Sequence, residues 1–265
     1  MQAPRGNPLW RFAGIRPVAV VFFTYLYLPI LILLILSFNE NRVVTIWTGF
    51  SLDWYANVLG NDDILRAARN SLIIAVSAML LATAAATPAA IVMARARFRG
   101  QNAFNALLAL PLVVPEIVTA VATLLFFVLI GLPLGLITVI IGHTVFCVPF
   151  AYLPIRARLE GMDPALREAA ADLYADEWRT FLRVTLPLLW PGILSGAMLA
   201  FIISLDDFVI TYFVAGAGAT TLPVYIFGMI RMGITPEVNA ISALMLVVSI
   251  LFVSLSFLVG RLRRD

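Results

Sequence analysis

Long apolar stretches without charged residues follow one another along most of the chain, separated by short segments that hold most of its polar groups. A helix of about 20 apolar residues crosses the hydrocarbon core of a bilayer. Six stretches reach that length, and a GLPLG turn at 131–135 separates the third from the fourth. The predicted transmembrane helices comprise residues 17–38, 70–94, 103–130, 134–154, 187–207 and 238–260.

A further charge-free stretch, 208–230, is long enough to be considered as a seventh span. Its centre reads AGAGATTLP, and its small residues, two threonines and proline make a continuous helix unfavourable. Backbone groups freed by such a break are tolerated at membrane depth only where protein or water surrounds them. We therefore expect an external loop or a short re-entrant bend between the fifth and sixth spans.

The positions of the basic residues also favour six spans. All 18 basic residues are arginine, and with six spans fourteen of them lie on the side that holds both chain termini. The four on the opposite side are Arg42, Arg66, Arg69 and Arg231. Because basic residues accumulate in cytoplasmic loops, both termini are expected in the cytoplasm. The first span lacks a small-residue cleavage site and is too long for a signal peptide, so we expect an uncleaved anchor.

The composition excludes several kinds of chemistry. Hydrophobic residues make up 62% of the chain and charged residues 12%, against about 25% charged in an ordinary soluble domain. Without lysine the chain has neither a phosphate-binding P-loop nor a Schiff-base amine, so another subunit must hydrolyse any ATP. The single His143 and single Cys147 cannot form a zinc site of several such ligands or an intrachain disulfide. We expect both in the core, with His143 bonded to a neighbouring helix, and no nucleic-acid partner.

The longest segment on the cytoplasmic side, 156–186, begins with the pattern of a short helix. Asp163 followed by Pro164 is a typical helix start, because the carboxylate accepts from free N–H groups and the proline has none to satisfy. The alanine- and leucine-rich residues 165–173 then favour the α conformation.

A second helix is predicted directly after the first. Tyr174 and Ala175 interrupt the helical pattern, and Asp176 can cap the helix that follows. We expect this helix to end before Pro187, because the residue that precedes a proline is disfavoured in the α conformation.

The first of these helices begins a spaced motif. Its members are Glu168, Ala169 and Ala170, followed by Val184, Leu186 and Pro187 at offsets of 16, 18 and 19 residues from the glutamate. This pattern resembles the EAA motif of binding-protein-dependent ABC importer permeases, which reads E-A-A, three residues, glycine, nine residues, isoleucine, one residue and Leu-Pro. Tyr174 stands at the glycine position. Either the turn has another geometry here, or Tyr174 is strained in the left-handed conformation that glycine adopts freely.

The resemblance covers nearly the whole chain and implies an all-α membrane protein with six transmembrane helices. It further implies the type I ABC importer permease architecture, with a cytoplasmic coupling helix between the fourth and fifth spans. Residues 1–65 would hold a cytoplasmic tail, the first span and an external loop. Residues 66–257 would form the type-1 transmembrane domain with a coupling segment at 160–186, and residues 258–265 a cytoplasmic tail.

In that family the short E-A-A helix docks into a groove of a cytoplasmic ATPase and transmits its closure to the spans. The resemblance implies a coupling role for Arg167, Glu168, Ala169, Ala170, Asp172, Tyr174, Leu186 and Pro187. It also implies a bacterial inner-membrane location, with the lipid bilayer, a second permease subunit, two copies of an ABC ATPase and an external solute-binding protein as partners. ATP and Mg²⁺ would bind to the ATPase, and no cofactor is expected in this chain.

Within the family, the chain is most similar to the permeases of spermidine/putrescine importers. The residues that carry this similarity are Ser204-Leu205-Asp206-Asp207, Phe213-Val214-Ala215-Gly216, Thr221-Leu222-Pro223 and Val238-Asn239-Ala240. The similarity implies a polyamine as the transported solute. Related permeases carry opines, amino-acid-like compounds and other small organic solutes, so these stay open as alternatives.

Five residues are candidates for the substrate path: Glu116, Ser204, Asp206, Asp207 and Trp47. Glu116 lies near the middle of the third predicted span, just after Pro111 and Pro115, which can break the helix and open a cavity. An ionisable group at that depth is costly and usually functional. The alternative is a structural Glu116 that is protonated or paired with a polar group or an arginine.

The remaining candidates also have two readings. Asp206 and Asp207, toward the outer end of the fifth span, are either ordinary interfacial acids or an entrance that attracts cations. Trp47 belongs either to the interfacial aromatic belt or to a site where its ring binds an alkylammonium group. The resemblance implies that these positions influence polyamine uptake.

Two other functional classes compete with an importer subunit. A secondary carrier driven by an ion gradient would use Glu116 as its proton site, but the sequence lacks the paired inverted halves that such carriers often show. It would also leave the E-A-A segment unexplained. An intramembrane enzyme is disfavoured, because the chain offers so few combinations of nucleophile and base.

Overall fold

The computed structural model describes residues 15–95, 98–233 and 235–262, and these are largely helical. The α-helices of this part, numbered in chain order, are α1 (Ile15–Leu36), α2 (Asp53–Gly60), α3 (Asp62–Arg95), α4 (Gln101–Val113), α5 (Glu116–Leu129), α6 (Leu136–Glu160), α7 (Ala165–Asp172), α8 (Glu177–Thr180), α9 (Leu186–Asp206), α10 (Val209–Val214), α11 (Leu222–Met232) and α12 (Pro236–Leu262). A π-helical turn, Phe181–Thr185, joins α8 to α9. The predicted all-α membrane fold is confirmed.

Five of the six predicted spans correspond to one helical stretch that is long and apolar enough to cross a bilayer. These stretches are α1, α3, α6, the continuous run from α8 to α9, and α12. Some of the arginines that predict the orientation lie outside the described residues, namely Arg5, Arg11, Arg97, Arg263 and Arg264. The cytoplasmic position of both termini therefore stays a prediction.

The third span, predicted over 103–130 with prolines that can break the helix, is broken in the structure. It consists of α4 and α5, which are bent by 110° relative to each other. Val114, with φ −73° and ψ 132°, and Pro115, with φ −54° and ψ 134°, are extended and separate the two helices. Pro115 explains the break, because a proline disfavours the α conformation of the residue before it. Pro111, in contrast, lies inside α4 and does not end it.

The described residues form two compact units. The first contains the chain up to Asn61 together with Met229–Leu246, and the second contains Asp62–Gly228 together with the chain from Val247 onward. Helix α12 belongs to both, because the boundary between Leu246 and Val247 falls within it.

The core of the second unit is built where α3, α6 and α9 pack against one another. Helix α3 contributes a stripe of fully buried alanines at spacings of three or four residues, Ala75, Ala78, Ala82, Ala86 and Ala90. Helix α9 approaches α6 so closely that a Cβ atom on Gly196 would meet the backbone of Ala151. Small residues at helix interfaces allow backbones to approach, which is how membrane helices gain van der Waals packing.

The segment after α9 does not form a seventh span. Helices α10 and α11 contain 6 and 11 residues, too few at about 1.5 Å per residue to cross the bilayer core. Their connecting loop is held in place, since Asn70 Nδ2 donates to the carbonyl oxygens of Gly218, at 2.9 Å, and Thr220, at 3.0 Å. The short helices agree with the expectation that 208–230 is not a span, while its position as an external loop or a re-entrant bend stays a prediction.

In the first unit, the loop after α1 is organised around Asn39. The side-chain Nδ2 of this fully buried residue donates to the carbonyl oxygen of Ile46 at 2.9 Å. The backbone carbonyl oxygen of Asn39 accepts from Trp54 Nε1 at 2.8 Å. Ser37 Oγ and the hydroxyl of Tyr55 lie 2.6 Å apart. Trp54 and Tyr55 therefore have structural bonds, whereas the side chain of Trp47 is 51% exposed.

Candidate functional site

Helix α7 presents the E-A-A residues on the surface of the second unit. It packs on α8 and on the π-helical turn and buries one of its residues, Ala170. Arg167, Glu168, Ala169 and Asp172 are exposed. The helix starts as expected, with Asp163 Oδ1 accepting from the backbone N–H of Ala165 at 2.9 Å. Its outer face thus combines charged groups with a small residue, and the coupling role of these residues stays a prediction.

The turn after α7 has the left-handed backbone conformation that is typical of glycine, although the residue there is Tyr174. Tyr174 has φ 58°, and within the described residues it is the one non-glycine residue with positive φ. The N–H of Ala175 donates to Ala170 O at 3.1 Å and that of Tyr174 to Ala171 O at 2.9 Å. This pair of bonds is the Schellman motif, whose left-handed position usually holds glycine. Of the two expected alternatives, the strained tyrosine is the one found.

The second helix of the segment does not end before Pro187, contrary to the expectation. Asp176 caps it as predicted, because its Oδ1 accepts from the N–H of Arg179 at 2.7 Å. The chain then continues through the π-helical turn into α9, with Pro187 in the first turn of that helix. The wider turn accommodates a residue without an N–H, so α8 continues into the fifth span without an interruption, while the turn at Tyr174 separates α7 from α8.

A polar cluster lies inside the second unit, where α6, α9 and α10 meet. Its centre is His143 on α6, whose side chain is 2% exposed. Nδ1 of the ring lies 2.8 Å from Ser204 Oγ at the end of α9. Nε2 lies 2.9 Å from Thr211 Oγ1 on α10 and 3.1 Å from Asp207 Oδ1. The expectation of a buried histidine bonded to a neighbouring helix is confirmed.

Asp207 has one well-bonded oxygen and one free of regular hydrogen bonds. Oδ1 lies near the ring of His143 and accepts from the N–H of Thr211 at 3.1 Å. Oδ2 is buried and has no hydrogen bond of regular geometry within the described residues. The carboxyl of Glu116, at the start of α5, is nevertheless close enough to interact with that of Asp207. The break after Val114 thus brings two acids from separate helices to one place.

This acid pair has an unusual charge balance. Within the described part of the chain, the ion-pair partner of Asp207 is His143, which is charged only when protonated, and no arginine pairs with Glu116. Asp207 is buried and Glu116 is half-buried, and two like charges repel each other more strongly where the surrounding dielectric is lower than that of water. The pair therefore favours either a shared proton or a cation that neutralises it.

The other path candidates lie elsewhere. Asp206 is exposed, although Asp207 beside it is buried. Trp47 belongs to the first unit. Pro111, but not Pro115, lines a cavity of about 460 Å³ between α4, α5 and α6. Its lining is mainly apolar and includes Thr119 and Thr123 but not Glu116. Which of these residues touch a solute stays a prediction.

Sequence reasoning missed the link between His143 and the acids. It gave the histidine no function and did not select Thr211. A signal was nevertheless present, because Ser204, Asp207 and Thr211 recur at spacings of three and four residues in an otherwise apolar stretch. That spacing places polar groups on one face of a helix, and a buried polar face needs a partner such as the histidine.

The curated relatives of the chain are permeases. It is 42% identical over 244 residues to the putrescine transport system permease protein PotI of Escherichia coli K12, covering 89% of this chain and 85% of that protein. It is 42% identical to the spermidine/putrescine transport system permease protein PotC of Haemophilus influenzae, over 91% and 94% of the two chains. The identity to PotC of Escherichia coli K12 is 38%, over 90% of each.

Solved structures show the same fold. A crystal structure of a bacterial ABC transporter involved in the import of the acidic polysaccharide alginate matches with a TM-score of 0.75 at 17% identity, covering 96% of each chain. The MetNI methionine ABC transporter, in an inward-facing conformation, matches with a TM-score of 0.65 at 20% identity, over 75% of this chain and 95% of that one.

A family pattern extends over most of the membrane part of the chain. Residues 86–264 match the family described as binding-protein-dependent transport system inner membrane component. This match includes the E-A-A helix, the acid cluster from His143 onward and α12. Together with the relatives, it establishes that the chain belongs to the binding-protein-dependent transport system inner membrane components, as a multi-pass permease subunit.

Proposed function

We propose that this chain is a membrane-spanning subunit of an ATP-driven importer of polyamines such as putrescine and spermidine. The observation that carries the choice of solute is the pair of the half-buried Glu116 and the buried Asp207, whose carboxyls interact and have no arginine partner within the described residues. The names of the relatives, which refer to putrescine and spermidine, support the same choice.

The chemistry of a polyamine suits this pair. Each primary ammonium group donates three hydrogen bonds and carries one positive charge, so it can bind two carboxylates at once. A cation between the acids removes their mutual repulsion, whereas a neutral or anionic solute would leave it in place. The site then holds the ammonium group only transiently, because the flanking spans supply apolar contacts rather than further charges.

The remaining subunits would supply energy and capture. Two copies of an ABC ATPase would bind ATP and Mg²⁺ and contact the face of α7 that exposes Arg167, Glu168 and Asp172. A second permease subunit would complete the translocation path, and an external solute-binding protein would deliver the solute. The arginine distribution supports an orientation with both chain termini in the cytoplasm.

The test is ATP-dependent uptake of labelled putrescine by the complete transporter in proteoliposomes. Glu116→Gln and Asp207→Asn should each reduce uptake about tenfold or more, since each removes a charge-assisted contact to the solute. Asp53→Asn is the matched control, because Asp53 is an exposed acid in the first turn of α2.

Two results would contradict the proposal. Uptake of an uncharged or anionic solute but not of putrescine or spermidine would exclude the polyamine assignment. Unchanged putrescine uptake by both acid variants would remove the pair from the mechanism.

A further inference from the structure

His143 is placed to control the geometry of the acid pair. The ring is buried in the second unit, and its two nitrogens contact Ser204, Thr211 and Asp207 on two other structural elements. Other ionisable groups near the ring are the Glu116 carboxyl on α5, Asp206 next to Asp207, and Cys147 one turn along α6. Of these neighbours, the Asp207 carboxyl is the one in direct contact with a ring nitrogen.

The contact with Asp207 favours one arrangement of hydrogens for an uncharged ring. An ionised carboxylate can only accept, so a hydrogen on Nε2 is favoured by Asp207 Oδ1 and can be shared with the Thr211 hydroxyl, 2.9 Å from the same nitrogen. Nδ1 is then the acceptor and receives the hydroxyl hydrogen of Ser204. The distances of 3.1 Å and 2.8 Å are both within hydrogen-bond range.

This arrangement orients Asp207 without cancelling its charge. The imidazole N–H and the backbone N–H of Thr211 both reach Oδ1, and Oδ2 receives no regular hydrogen bond within the described residues. A donor that is itself uncharged fixes one oxygen and leaves the negative charge available at the other. An arginine in the same place would bind both oxygens and neutralise them, as its planar fork matches a carboxylate.

We propose that His143 is a positioning residue: it holds Asp207 by Oδ1, so that Oδ2 and the carboxyl of Glu116 bind one primary ammonium group of the solute. This inference rests on the proposed function, because it assigns a role within the same polyamine site. It adds a residue that touches the acid rather than the solute.

The experiment compares two amide variants of similar polarity. In His143→Gln the amide nitrogen occupies a position near that of Nε2 and can still donate to Asp207, whereas in His143→Asn it lies near Nδ1 and reaches only Ser204. Both are assembled with the partner subunits and the solute-binding protein in proteoliposomes. The two measurements are putrescine uptake and the ATP hydrolysis that the loaded binding protein stimulates.

The two amide variants are expected to differ in coupling. His143→Asn should lower uptake about tenfold with stimulated hydrolysis nearly retained, so that more ATP is hydrolysed per putrescine imported. His143→Gln should keep most of the uptake and a near-normal ratio. Thr144→Val is the control on α6, because the Thr144 hydroxyl bonds only to the carbonyl oxygen of Ile140 in its own helix.

Several outcomes would overturn the inference. Equal uptake by the two amide variants, or a parallel loss of uptake and hydrolysis in both, would show that His143 only supports the fold. Failure of the Gln variant to assemble would lead to the same conclusion. Putrescine uptake by the unaltered transporter is measured first, and its absence would overturn the proposed function together with this inference. If the unaltered transporter takes up putrescine, the results for the two amide variants bear on the role of His143 alone.

Discussion

At the scale of single residues, two identical side chains have different environments, and the sequence alone does not show which environment each one has. Asp206 and Asp207 are neighbours in one apolar run, yet the first is exposed and the second is 6% exposed. The difference arises because α9 ends at Asp206 and the backbone of Asp207 is extended, which directs the two side chains to different sides. The presence of acids at this place was predictable, but which of them is buried was not.

The contact between Gly196 and Ala151 gives a prediction for a single methyl group. In Gly196→Ala the new Cβ would collide with the backbone of Ala151, which cannot move aside as a flexible side chain would. We expect a loss of stability of about 1–3 kcal/mol, the usual range for overpacking a close-packed core. Thermal unfolding of the purified subunit in detergent measures the effect.

A matched glycine provides the control for that substitution. Gly228 lies in α11, and a Cβ there would meet no other atom within 4 Å. Gly228→Ala should therefore leave the unfolding temperature unchanged or raise it slightly, since alanine favours the helix. Equal unfolding temperatures for the two variants would contradict the close approach of α6 and α9.

At the scale of elements, local signals predicted the helix starts of segment 156–186, because short-range interactions determine them. The caps Asp163 and Asp176 each bond the backbone as expected. The bend at Pro115 and the π-helical turn before Pro187 were less predictable. A proline restricts the conformation of the residue before it, but this restriction is compatible with either a sharp bend or a wider π-helical turn. Which of the two forms depends on the packing of the adjoining helices.

The tyrosine in the Schellman turn gives a prediction about α7. A non-glycine residue in the left-handed conformation costs about 1–2 kcal/mol, and the 96% exposed ring of Tyr174 gains little packing within this chain in return. Tyr174→Gly should therefore stabilise the end of α7, seen as slower amide hydrogen exchange at Tyr174 and Ala175, whose N–H groups close the turn. Faster exchange in the glycine variant would contradict the assignment of strain.

Tyr174→Ala separates the backbone from the ring. Alanine keeps the left-handed strain and removes the aromatic side chain, so the exchange of the turn should stay near that of the unaltered protein. If the ring also contacts the ATPase, both variants will bind that subunit more weakly. A change in binding by Tyr174→Gly alone would instead assign the effect to the turn.

At the scale of the whole molecule, the number of spans followed from hydropathy, whereas the acid cluster depended on tertiary packing. Apolar length indicated the candidate crossings, and the helix-breaking residues of 208–230 together with the arginine distribution reduced them to six. The cluster joins Glu116, His143 and Asp207 from three distant parts of the sequence. Contacts between residues so far apart in the sequence result from the packing of α5, α6, α9 and α10. In the sequence itself they are indicated only weakly, by the spacing of Ser204 and Thr211 around Asp207.

The last prediction concerns how the membrane part responds to ATP hydrolysis. Helices α8 and α9 and the π-helical turn between them form one uninterrupted stretch that ends near Asp207, and α7 packs on the beginning of that stretch. A displacement of α7 can therefore reach the end of α9 through its contacts with α8 and the π-helical turn. Glu168→Ala should weaken ATPase binding and reduce hydrolysis stimulated by the loaded binding protein about tenfold, as expected for a lost charge-assisted contact. Membrane insertion should be unchanged, because Glu168 is exposed and lies outside the spans.

The measurement for this prediction is co-purification of the ATPase with each variant. The control is Glu177→Ala, which removes an exposed acid from α8. Normal binding and normal stimulated hydrolysis in Glu168→Ala would show that coupling takes place at another surface of the segment.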